Sequence, residues 1–265
     1  MMARVSASML GTCAAAALAL AGCSGCSKQS DLNQASANRS AIANQSAPAI
    51  PSVPGPNNQD WTLQVAETPD GGYRMGNPDA QIKLVEYASI SCPHCAEFSN
   101  EGSQALRDRY VRTGQVSWEY RPTILFPTDP GIFLLMRCNG AQPFFRTTDQ
   151  LYTTQRDWMT KIQAQAEQLN GLPVQQRLSA IARAGELDAF FRQRGMPSAR
   201  VDSCLADQEG LRALVEKSQT LMERDNVTGT PTFFINGEKQ EGVGFWNDPQ
   251  RPEMSLEPKL RAALG

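Results

Sequence analysis

The pattern of apolar and polar positions changes character several times along the chain. One positive side chain, Arg4, precedes an apolar run rich in Ala and Leu, Ala14 to Ala21. That run is shorter than a bilayer-crossing helix requires, so residues 1–22 read as a signal peptide. From Ser24 to about Asn58 the residues are mostly Ser, Asn, Gln, Ala and Pro, with few large apolar side chains. Such a stretch cannot bury enough surface to offset its ordering entropy, and residues 23–60 read as a disordered tether. Order is expected from Trp61 onward.

Beyond Trp61 the apolar spacing defines elements. Thr62 to Glu67 suits a short edge strand, and Asp70-Gly71-Gly72 and Gly76-Asn77-Pro78 are turn signals. Ile82 to Tyr87 reads as a strand, largely apolar but carrying Glu86. Ser91 is placed to cap a helix running from Cys92 toward Tyr110, with Phe98, Leu106 and Tyr110 near helical spacing. Gly102 inside that helix permits a bend. Val116 to Tyr120 is a second strand. Helix-compatible patterns then cover Ile132 to Met136, Phe144 to Tyr152, Trp158 to Leu169, Val174 to Ala184 and Leu187 to Arg194. Leu211, Leu214, Val215, Leu221 and Met222 mark one face of a longer helix. Thr232 to Ile235 is a strand, Asn236-Gly237 a hairpin turn, a short strand lies around Val243, and a last helix spans Ser255 to Leu264. The result is an α/β domain over residues 61–265 with a helical insert over about 128–222.

Composition narrows the function classes. The 265 residues are 41% hydrophobic, enough for a full core. The net charge is −2 and no Lys/Arg cluster appears, which argues against nucleic acid. The only histidine is His94, which excludes His-rich metal sites and triads that need a histidine elsewhere. The leader ends in Leu20-Ala21-Gly22-Cys23 and resembles a bacterial lipoprotein signal. That resemblance implies cleavage before Cys23 and lipidation there; ordinary secretion with a cysteine nearby is the alternative. Either way the mature chain enters a compartment where disulfides persist. Cys13 leaves with the leader and Cys23 carries lipid. Cys92 and Cys95 form a close pair, Cys138 and Cys204 are the natural second pair, and Cys26 is left over.

Cys92-Pro93-His94-Cys95 carries the chemistry. Two cysteines at this spacing close a small, easily reduced disulfide. At a helix N-terminus, unpaired N–H groups and the helix dipole favour thiolate on the first sulfur, and thiolate is the reactive form. Pro93 stiffens the turn, and His94 can assist by hydrogen bond or charge. Taken alone, the motif also fits half a zinc site or a structural disulfide. Zinc usually takes four ligands, and Cys138 and Cys204 do not resemble a second knuckle. A position between strand and helix in an exported chain favours redox chemistry. Trp118, Trp158 and Trp246 read as core, and Phe144-Phe145 as packing inside the insert.

Glu86-Tyr87, Cys92-Pro93-His94-Cys95 and Phe98 resemble the active-site region of DsbA, the periplasmic disulfide oxidase family. Gly229-Thr230-Pro231-Thr232-Phe233-Phe234-Ile235-Asn236-Gly237 resembles the cis-proline loop of the thioredoxin superfamily. The resemblance covers roughly Trp61 to Gly265 and implies a thioredoxin fold with an inserted helical domain. It implies Cys92 as nucleophile and Cys95 as the resolving thiol. Glu86 would relay a proton to or from Cys95, unless it is a strand-end carboxylate reaching solvent. Thr230 and Pro231 would meet the substrate across a cis bond, with a plain trans proline as the alternative. Cys138 and Cys204 resemble a second disulfide of some alphaproteobacterial DsbA-like proteins. Ser99 stands where an acid is expected, and Thr230 where DsbA usually has valine. Threonine there is closer to the isomerases DsbC and DsbG, which leaves the direction of electron flow open. No bound cofactor or metal is implied, because the cysteines carry the electrons. The implied partners are reduced client proteins and a quinone-linked, DsbB-like membrane protein. The implied location is the periplasm, anchored by lipid, with Ser24 favouring the outer membrane. A reductase or isomerase of the same fold is the nearest alternative. A tethered client-holding or copper-binding module is another.

Overall fold

The computed structural model describes residues 50–265. The signal peptide, most of the expected tether, and Cys13, Cys23 and Cys26 lie outside the described residues. The described residues begin at Ile50, upstream of the expected start of order at Trp61. The physical reason is that residues 50–60 find partners on the body. Val53 N donates to Thr113 O at 2.7 Å, and Trp61 Nε1 donates to Val53 O at 2.8 Å. Gln115 Nε2 donates to Pro51 O at 3.0 Å, and Ile50 packs on the core. A tether reaching residue 60 is therefore too long at its C-terminal end.

Six strands form one sheet: β1 (Val65–Glu67), β2 (Tyr73–Met75), β3 (Ile82–Ala88), β4 (Val116–Pro122), β5 (Thr232–Ile235) and β6 (Glu238–Gln240). Their order is β1-β2-β4-β3-β5-β6. Only β3 and β4 run parallel, and such a pair needs a crossover. Helix α1 (Pro93–Leu106), extended by a π-helical turn over Arg107–Val111, supplies it. β3 is largely apolar because it sits inside the sheet, with Ile82, Leu84, Tyr87 and Ala88 all buried.

Several local expectations change. Trp61–Leu63 is a 3₁₀ turn, so β1 starts only at Val65. The hairpin partner of β5 is the polar β6, while Val243 is buried outside any strand. Ser91 does not cap α1; its hydroxyl pairs with Thr128 Oγ1, and Cys92 occupies the N-cap. Gly102 serves close approach rather than a bend. A Cβ there would lie 2.5 Å from Trp246 Cβ, so the indole seats in a notch only glycine leaves open.

The insert comprises α2 (Asp129–Cys138), α3 (Phe144–Thr153), α4 (Gln155–Gln163), α5 (Ala166–Asn170), α6 (Val174–Ala184), α7 (Leu187–Arg192), α8 (Ser198–Leu205) and α9 (Gln208–Arg224). Helix α10 (Leu256–Leu264) ends the chain. The pattern over Trp158 to Leu169 is split between α4 and α5, and α8 was not expected. A Cys138–Cys204 disulfide ties the end of α2 to α8. Phe144 and Phe145 do not pack inside the insert alone; they bind it to the sheet. Phe144 stacks on Tyr73 at 3.7 Å between ring centres, and Phe145 meets Trp118 at 4.7 Å. Full burial of each ring is worth about 1.5–3 kcal/mol. The insert is thereby held firmly on the sheet, and four of its polar side chains, Thr128, Asp129, Tyr152 and Gln155, reach the loop ahead of α1.

Candidate active site

Cys92 is the N-cap residue of α1, in extended backbone geometry, and Pro93 takes the first helical position. Proline suits that place because its missing N–H would have had no intrahelical partner. Cys92 is 6% exposed, and Cys95, one turn on, is fully buried. Both are unpaired thiols in this structure.

The two sulfurs have opposite environments. A hydrogen bond from the Cys95 thiol is the largest influence on Cys92, and the backbone N–H groups of Cys95 and His94 add to it. Together they outweigh burial and bring the Cys92 thiol down to about 5. Cys95 is pushed well above the ordinary thiol range, first by burial, then by Cys92, with a further push from the Glu86 carboxylate. The His94 imidazole is 77% exposed and lies 3.5 Å from Glu97. What His94 adds to Cys92 is its backbone N–H, available because the helix starts there.

The second half of the site comes from far along the chain. β5 pairs antiparallel with β3, setting Phe233 opposite Glu86 and Thr232 opposite Tyr87. That pairing carries Thr230-Pro231, joined by a cis peptide bond, to the start of α1. The Cys92 thiol donates to Thr230 O at 3.4 Å.

Glu86 does not reach solvent; it is 1% exposed. Trp118 Nε1 donates to its Oε2 at 2.9 Å. Burial pushes the Glu86 carboxyl up to about 8, the Trp118 bond opposes this, and the charge of Asp149 reinforces it. Asp149 on α3 is held by Arg107, with Nη2 at 2.8 Å, and accepts from Ser103 Oγ at 3.1 Å. Burial nevertheless raises its own carboxyl. Trp118 is core, as its size suggested, and is also the one side-chain donor to Glu86 among the described residues.

The groups that hold the loop before Cys92 are not apparent in the sequence. Asp129 accepts from Ser89 Oγ at 2.9 and 3.0 Å, Ser91 N at 3.1 Å, Leu125 N at 2.9 Å and Phe126 N at 2.8 Å. Tyr152 Oη donates to Ser89 O at 3.0 Å and pairs with Tyr120 Oη at 2.8 Å. Gln155 Nε2 donates to Ile90 O at 2.9 Å and Cys92 O at 3.0 Å. They sit on helices of mixed polarity, where a polar residue type does not name a partner. Cys138 and Cys204 stand apart from this constellation, within the insert.

A near-surface thiol that favours thiolate, above a buried thiol that resists it, can exchange disulfides through the outer sulfur. Comparisons with known proteins agree with that geometry. The family described as Thioredoxin matches residues 68–251. The chain is 26% identical over 171 residues to a Rickettsia bellii protein named "Putative protein-disulfide oxidoreductase", covering 64% of this chain and 59% of that one. It spans less than two thirds of the length of this and the similarly named Rickettsia prowazekii and Rickettsia typhi relatives. Among solved structures it is similar to a protein-disulfide isomerase from Novosphingobium aromaticivorans. The identity is 29%, the TM-score 0.67, and the match covers 74% of this chain and 98% of that one. Wolbachia pipientis α-DsbA1 shares the fold at 18% identity and a TM-score of 0.54, over 74% of this chain and 90% of that one.

Proposed function

The chain belongs to the thioredoxin family, and from that premise we propose that it is an exported thiol-disulfide oxidoreductase that introduces disulfides into client proteins. One observation carries the reading: the Cys92 thiol lies at about 5 while that of Cys95, a turn away, is raised well above its ordinary range. A low thiol pKa at the outer of the two sulfurs stabilises the reduced enzyme, which makes its disulfide a strong oxidant.

The reaction starts from the Cys92–Cys95 disulfide. A client thiolate attacks the Cys92 sulfur, forming a client–Cys92 bond and breaking the Cys92–Cys95 bond. The electron pair leaves on Cys95, where burial disfavours charge. Glu86, pushed up to about 8, holds a proton at neutral pH and supplies it to that sulfur, becoming carboxylate. A second client thiolate attacks the client sulfur, forming the client disulfide and expelling Cys92 as a stabilised thiolate. The client loses two electrons and the enzyme gains them. A DsbB-like membrane partner would take those electrons back. Leu125 and Phe126, both exposed beside the loop that Asp129 holds, give unfolded clients apolar contact near Cys92.

Equilibration of the domain with glutathione buffers tests the direction of flow. A potential near about −120 mV means oxidase, and one near about −270 mV means reductase. Cys92→Ala is expected to abolish oxidation of a reduced peptide; undiminished turnover in that variant would sink the mechanism. The similarity to the Novosphingobium isomerase, with Thr230 before the cis proline, favours isomerisation as a second reading. Reactivation of a scrambled disulfide protein without added oxidant would support it. Export to the periplasm and lipidation at Cys23, with outer-membrane attachment, complete the proposal. Palmitate labelling that survives Cys23→Ser would reject the anchor.

A further inference from the structure

Besides Thr128, which pairs with the Ser91 hydroxyl, the insert side chains Asp129, Tyr152 and Gln155 bond to the buried loop Ser89–Cys92. Asp129 and Tyr152 stop at Ser89 and Ser91. Gln155, the first residue of α4, goes further, to the carbonyl of Cys92 itself. That carbonyl already accepts the first helical bond of α1, from Ala96 N at 3.1 Å. The Gln155 amide, 8% exposed, therefore gives the N-cap carbonyl a second donor and ties it to Ile90 O at the same time. An N-cap residue is the hinge between extended loop and helix, and its orientation decides where the first free N–H groups aim. Here those groups belong to His94 and Cys95, and they aim at the Cys92 sulfur.

We propose that Gln155 is a positioning residue for the nucleophile: its double hydrogen bond lets the helical insert hold the N-cap of α1 so that the helix N–H groups stay on the Cys92 sulfur. The insert then does more than cover the site, since it sets the reactivity of a thiol that it does not carry. This rests on reading Cys92 as the redox nucleophile. Gln155 and its two carbonyl acceptors carry no charge, so its effect works through geometry and local dipoles. The titratable and charged groups on the surrounding elements are Cys95, His94 and Glu97 on α1, Arg156 and Asp157 on α4, Glu86 on β3, Tyr120 on β4, Asp129 on α2, and Asp149 and Tyr152 on α3; substituting Gln155 changes none of them.

The test uses Gln155→Leu and Gln155→Met, which keep the volume and remove the donor. Reduced wild type and variants are titrated by thiolate absorbance near 240 nm, and each is equilibrated with glutathione. Losing this bond is expected to raise the Cys92 pKa by about one pH unit, the equivalent of about one hydrogen bond. The reduced form then loses about tenfold in the glutathione equilibrium, a fall in potential of about 30 mV. Near-ultraviolet circular dichroism checks that the fold is kept. Folded variants whose Cys92 pKa and glutathione equilibrium stay within twofold of wild type would overturn the proposal. Failure of both variants to fold would overturn it too, because the side chain would then serve stability. A wild type that does not oxidise peptides, while its Cys92 titration still responds to Gln155→Leu, would reject the oxidase reading alone.

Discussion

Glu86→Gln removes a titratable proton from the core while keeping the side-chain shape and an acceptor for Trp118 Nε1. Burial pushes the Glu86 carboxyl up to about 8 from an ordinary 4.5. At neutral pH the folded protein holds a proton that the unfolded chain releases. A carboxyl raised on folding contributes its full stability below the unfolded pKa and loses it as pH rises toward the folded one. The window here runs from 4.5 to about 8. Inside it each pH unit takes about 1.4 kcal/mol from the wild type relative to a side chain that does not titrate. From pH 5 to pH 7 the integrated difference is about 2.5 kcal/mol, slightly less than two full units because the lower end of the window is only partly titrated. Asp149 and Cys95, which interact electrostatically with Glu86, are present in both proteins. Urea unfolding at both pH values, with Cys92 and Cys95 as thiols, should show the variant gaining on the wild type by about 2.5 kcal/mol. A gain within about 0.5 kcal/mol of zero between the two pH values would refute the argument, since Glu86 would then be ionised in the fold.

Four other outcomes are expected. Thiolate absorbance of the reduced protein should titrate with a midpoint near about 5, and the signal should vanish in Cys92→Ala. Because that thiol is lowered from an ordinary 9.0, its contribution to stability is complete above 9.0 and lost as pH falls through about 5; unfolding of the reduced protein and of Cys92→Ala across that range checks the sign. Gly102→Ala should lose about 1–3 kcal/mol in urea unfolding, because the added methyl drives into Trp246. Replacing Cys138 and Cys204 together by alanine should lower stability by about 2–4 kcal/mol in the same assay, since the disulfide closes a long loop whose ends are 66 positions apart in sequence.

Elements with a buried face were legible in the sequence, because burial writes itself as spacing. β3, α1, β4, α6 and β5 follow their apolar patterns closely. β6 was misplaced because Glu238-Lys239-Gln240 lies at the sheet edge, where no face needs to be apolar, whereas Val243 is buried in a loop. β2 is three residues between turns, too short for alternation to register. The break between α4 and α5 leaves the apolar spacing almost undisturbed, so one long helix looked equally good. In the site, Cys92, Cys95 and Glu86 announce themselves by type and position. Asp129, Asp149 and Gln155 do not, because a polar side chain on an amphipathic helix points to solvent unless a distant segment meets it. Trp118 shows the same limit: its bulk predicts burial, and only the sheet register brings its N–H to Glu86.

The antiparallel pairing of β5 with β3 also sets a timetable for the growing chain. Cys92 and Thr230 meet across a separation of 138 residues, with every helix of the insert made between them. A chain that emerges from its N-terminus presents the helix start and its cysteines early, and contacts this distant form late. Until Thr232–Ile235 arrives, β3 has an open edge and Cys92 has no loop across from it. The nascent protein is then a thiol without a seat for its client, and its active site is assembled only once Thr230 and β5 have been delivered.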